Sequence, residues 1–71
     1  MPQVEIFRTN VPNKRVAHKA ILDLSKGLPE YKINFDLEDC DKVLRVMGSK
    51  VNVKEILKRM KQLGHSCEVI K

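Results

Sequence analysis

The side chains able to do chemistry in this 71-residue chain are few: Cys40 and Cys67, His18 and His65, and the carboxylates Asp36, Glu38, Asp39 and Asp41. Thiolates and imidazoles are ligands for soft and borderline ions such as Cu and Zn. The two cysteines lie far apart and form no C-x-x-C, which excludes a zinc ribbon and a dithiol redox motif. The carboxylates lack EF-hand spacing and read as a hydrated acidic turn. No nucleophile–base–orienter set and no Gly-rich phosphate loop is present, so no enzyme is expected. The other conspicuous pair is Lys14-Arg15, next to Asn13 at the expected start of a helix. A helix N-terminus carries partial positive charge and free N–H groups, so cations there are locally disfavoured while an anion is welcome. Asn13, Lys14 and Arg15 are therefore a candidate site for an anion or an acidic partner. The alternative is two long side chains swinging into water, at about 0.3–1 kcal/mol through the dipole.

The elements that must position these residues follow from periodicity. VEIFRTNV (4–11) is β-rich, with Val4 and Ile6 on one face and Phe7, Thr9 and Val11 on the other; the change of parity predicts a bulge or frayed end near Phe7–Arg8. From Asn13, the spacing of Ala17, Ala20, Ile21 and Leu24 predicts an amphipathic helix, capped by Asn13 and stopped by Gly27 and Pro29. His18 falls off that stripe, on the solvated side. YKINFDL (31–37) alternates, with Tyr31, Ile33, Phe35 and Leu37 facing one way. An acidic turn (38–41) leads to KVLRVMG (42–48), with Leu44 and Val46 inward. Asn52-x-x-Glu55 resembles a capping box, and Val53, Ile56, Leu57, Met60 and Leu63 form a second helical stripe ending at Gly64. SCEVI (66–70) is a last strand with Cys67 and Val69 on one face.

The order βαββαβ is that of the α+β, ferredoxin-like sandwich: a four-stranded antiparallel sheet with two helices on one face. Right-handed crossovers bring the loop at 10–14, the hairpin tip at 38–41 and the Gly64-His65 loop to one end. Cys40 and His65, with His18 one turn into the first helix, are then the candidate metal ligands. Strands two and four are the expected edges, where chains can pair. Lys32 and Asn34 are polar residues of the kind that blunt such pairing, and a monomer and a weak homodimer both fit.

Length allows one domain, 1–71. Apolar content of 42% excludes a disordered chain. No apolar run reaches the ~18 residues of a membrane span, and MPQVEIFRTN has no signal-peptide core, so a cytoplasmic protein with no membrane insertion is expected. Net charge of +5 is compatible with nucleic acid or an acidic partner, and equally with simple solubility. RNA-binding domains of this topology display aromatics on the free sheet face. Here Tyr31 and Phe35 share parity with Ile33 and Leu37, so nucleic-acid binding is at most weak.

INFDLEDCDKVLRVMG and VNVKEILKRMKQLGHSCEVI together resemble the hairpin and the C-terminal half of the heavy-metal-associated, copper-chaperone-like domain family. Ile56, Met60, Gly64 and Glu68-Val69-Ile70 fall in step, with His65 in place of an aromatic residue. The family's M-x-C-x-x-C motif would lie at Val11-Pro12-Asn13-Lys14-Arg15-Val16. Val11 stands for a packing methionine, and Asn13 and Val16 stand where the thiolates would be. The resemblance implies the fold and a protein-docking end, while the missing thiolates imply no metal at Asn13 and Val16. No cofactor is expected. Handling of Cu or Zn is left to Cys40, His65 and His18, or to a site shared across a dimer.

Overall fold

The expected periodicities appear as six elements in a computed structural model that describes residues 2–38 and 40–70. They are β1 (Gln3–Thr9), α1 (Lys14–Gly27), β2 (Lys32–Asp36), β3 (Val43–Gly48), α2 (Val53–Gln62) and β4 (Cys67–Val69). The strands form one antiparallel sheet in the order β2-β3-β1-β4, the ferredoxin-like arrangement, with β2 and β4 at the edges.

β1 and β3 are the two central strands, and Phe7 of β1 with Leu44 and Val46 of β3 are apolar side chains they bury. Phe7 lies opposite Leu44 of β3 and Val69 of β4. Phe7, Leu24, Leu44, Val46, Ile56, Met60 and Val11 are fully buried. Each contributes about 1.5–3 kcal/mol by leaving water. α1 buries Ala17, Ala20 and Leu24, and α2 buries Ile56 and Met60, which are the stripes their spacing dictates. Leu44 and Val46 point inward as expected. β2 presents half-buried Ile33 and Phe35 to the core and exposes Lys32, Asn34 and Asp36.

The bulge expected near Phe7–Arg8 does not form. β1 pairs with β3 from Gln3↔Gly48 to Phe7↔Leu44, and with β4 from Phe7↔Val69 to Thr9↔Cys67, with no extra residue in either ladder. Val4 and Ile6 are apolar yet lie on the exposed side with Arg8. Gln3, on the opposite parity with Glu5 and Phe7, is held at the end of the sheet, where its side-chain oxygen accepts from Val51 N–H at 2.9 Å. The strand is apolar on both faces, and that pattern imitates a change of parity.

The capping box at Asn52 is half formed. Asn52 Oδ1 accepts from Glu55 N–H at 3.2 Å, but Glu55 turns forward to Arg59 Nε at 2.9 Å. The Asn52 N–H donates instead to the Tyr31 hydroxyl, which itself donates to the Lys50 carbonyl. Tyr31 thus ties the start of β2 to the start of α2. Its ring covers Gly48, where a Cβ would collide with it.

Candidate partner-binding end

The loop at 10–13, the β2–β3 turn and the α2–β4 loop converge at one end of the sheet, held by a small set of hydrogen bonds. Thr9 is the one buried polar residue among those described. Its hydroxyl donates to the Lys42 carbonyl at 2.5 Å and accepts from Val11 N–H at 3.3 Å, while its own N–H donates to the Asp41 carbonyl at 3.1 Å. Asn10 Oδ1 accepts from Ser66 N–H at 2.9 Å. Arg8 bridges Asp41 and Glu68 on the surface. Thr9 and Asn10 are the positioning residues that sequence reading passed over. For Thr9 the sequence carries only its inward parity directly before a loop, not its partner, and for exposed Asn10 it carries no signal.

The start of α1 sits inside this frame. Asn13 is extended and its Oδ1 accepts from Val16 N–H at 3.0 Å, so the cap expected from sequence is present. One of the free N–H groups is therefore satisfied from within. Val16 is half-buried, and Lys14 and Arg15 are exposed. Val11 is fully buried. These side chains do not suit a soft metal ion: the Asn13 oxygen is occupied as a cap, Val16 offers no donor atom, and two cations flank them. The first turn contains no acidic residue.

The other sequence candidates are dispersed. His18 is exposed and lines the groove between α1 and β2. His65 lines a separate groove with Leu57, Lys61 and Cys67. It follows Gly64 (φ 87°) in a tight helix ending, in which His65 N–H bonds to the Met60 carbonyl and Gly64 N–H to that of Lys61. Cys40 is exposed in the β2–β3 turn, and of the acidic turn Asp39 lies outside the described residues. Among the described residues no three of His, Cys, Asp and Glu group to hold a metal ion. Cys67 is half-buried; desolvation pushes its thiol up to about 12, and the neighbouring Glu68 carboxylate acts in the same direction. It is a small packed side chain in the neutral form. Phe7, Tyr31 and Phe35 all pack with the core, so none is displayed on the free sheet face for base stacking.

Among the described residues no helix is long and apolar enough to cross a membrane. Comparison with known protein families, with curated proteins and with solved structures finds no match.

Proposed function

We propose that this chain is a metallochaperone-like domain without the family's metal site, working in the cytoplasm as a protein-recognition module rather than an enzyme. The observation that carries the reading is the start of α1. The place where a thiolate pair would hold a metal ion has a self-capped helix with exposed Lys14 and Arg15, braced by the Thr9 and Asn10 hydrogen bonds. Exposed cations on a rigid frame suit an acidic surface of another protein, and such docking is steered by charge and weakened by salt.

The test is capture from the native source with the purified domain and with the double variant Lys14→Glu, Arg15→Glu, alongside metal analysis of the purified protein. The reading predicts a partner that binds the wild type at low salt, is lost with the folded double variant, and binds without stoichiometric metal. Capture indifferent to both substitutions would overturn it.

A further inference from the structure

β2 is an edge strand, paired with β3 on one side only. Its sequence, Lys32-Ile33-Asn34-Phe35-Asp36, is self-complementary when read against itself in the opposite direction. Centred on Asn34, an antiparallel pair of β2 strands sets Lys32 opposite Asp36 of the second copy and Ile33 opposite Phe35 of the second copy, twice each. Directly opposed residues share a face with Cβ atoms about 4.5–5.5 Å apart, so the charges meet on the open face and the apolar residues on the helix side.

Beside this edge runs a groove of about 510 Å³ between α1 and β2, floored by Ala17, Ile21, Phe35 and Leu37. Leu22 of α1 is 52% exposed, and it stands one turn beyond His18, which lines the same groove. The edge strand and the groove adjoin, and the exposed leucine lies on the same side of α1 as His18. Lysine and aspartate on an edge strand deter foreign strands. Against a copy of itself the same two residues attract.

We infer that this surface is a homodimer seam: two copies join β2 to β2 about a two-fold axis through Asn34, making an eight-stranded sheet with the two α1 helices side by side. Two-fold self-complementarity of this kind is what an isologous interface requires. Lys14 lines this groove as well as the helix start, so the seam adjoins the end proposed for partner recognition, and sedimentation of the chain alone tests the seam by itself.

The experiment is sedimentation velocity over a concentration series at low salt, with wild type, Lys32→Asp, Asp36→Lys and the double swap Lys32→Asp, Asp36→Lys. Circular dichroism checks that each variant is folded. The wild type is expected to move from the 8.2 kDa monomer toward twice that mass as concentration rises. Each single reversal opposes like charges at both pairs and is expected to weaken association by about tenfold or more. The double swap restores opposite charges and is expected to regain most of the loss. Concentration-dependent protection of amides should fall on β2 and α1. A wild type that stays monomeric at millimolar concentration overturns the inference. So does a double swap that associates no better than the single variants, or protection that maps to β4 or the open sheet face.

Discussion

The difference between the two cysteines gives a prediction that can be worked through. Thiolate, not thiol, is the nucleophile, so reactivity follows the ionised fraction and access. With its pKa pushed up to about 12, Cys67 is ionised at pH 8 to only about one part in ten thousand. An ordinary thiol, with a pKa of about 8.5, is ionised to about one part in four. Burial adds obstruction to that chemical deficit. Cys40 is exposed and serves as the internal reference. Treatment with iodoacetamide at pH 8, followed by mass mapping of the two peptides, should label Cys40 while Cys67 lags by a thousandfold or more until the chain unfolds. Denaturant should make the two rates comparable. The same shift has a definite sign for stability: the unfolded thiol ionises from about pH 9 upward while the folded one holds its proton, so stability falls as pH rises from 9 toward 12. Equal labelling of the two thiols in the native protein would refute the placement of Cys67 against the core.

Thr9→Val keeps the shape but strands the half-buried Lys42 carbonyl and the buried Val11 N–H; unfolding in urea should register a loss of about 1–3 kcal/mol, and hydrogen exchange should quicken in the 40–42 turn. Gly64→Ala forces a side chain into φ 87°, and thermal melts should show a loss of about 1 kcal/mol despite open space around the site. Asn13→Cys with Val16→Cys should cost about 1 kcal/mol through the lost cap, yet allow the domain to compete with a colourimetric chelator for Cu(I). The wild type should fail in the same assay, and equal competition by both would show that metal is held elsewhere.

Much of the fold could be read from the chain, because each helix carries one apolar stripe and β2 alternates cleanly; Ala17, Leu24, Ile56 and Met60 are buried where their spacing puts them. β1 misled because Val4 and Ile6 are apolar on the exposed face, and side-chain type alone does not say which parity meets the helices. The Asn52 box was half right for a different reason. Its second half is supplied by Tyr31, distant in sequence, and local patterns carry no information about such a partner. At the candidate end, Asn13 was legible as a cap because capping is local. Thr9 and Asn10 were not, because their partners Lys42 and Ser66 belong to other loops that only the tertiary fold brings near. The self-complementarity of Lys32 and Asp36 gained meaning once β2 was seen to be a free edge beside a groove.

The most direct test of the central claim is an amide spectrum of the labelled domain titrated with its captured partner. The account predicts shifts clustered at Asn10, Asn13–Val16, 40–42 and His65–Ser66, fading as salt rises. Shifts confined to the open sheet face around Val4 and Ile6, with the Lys14-Arg15 end undisturbed, would contradict it.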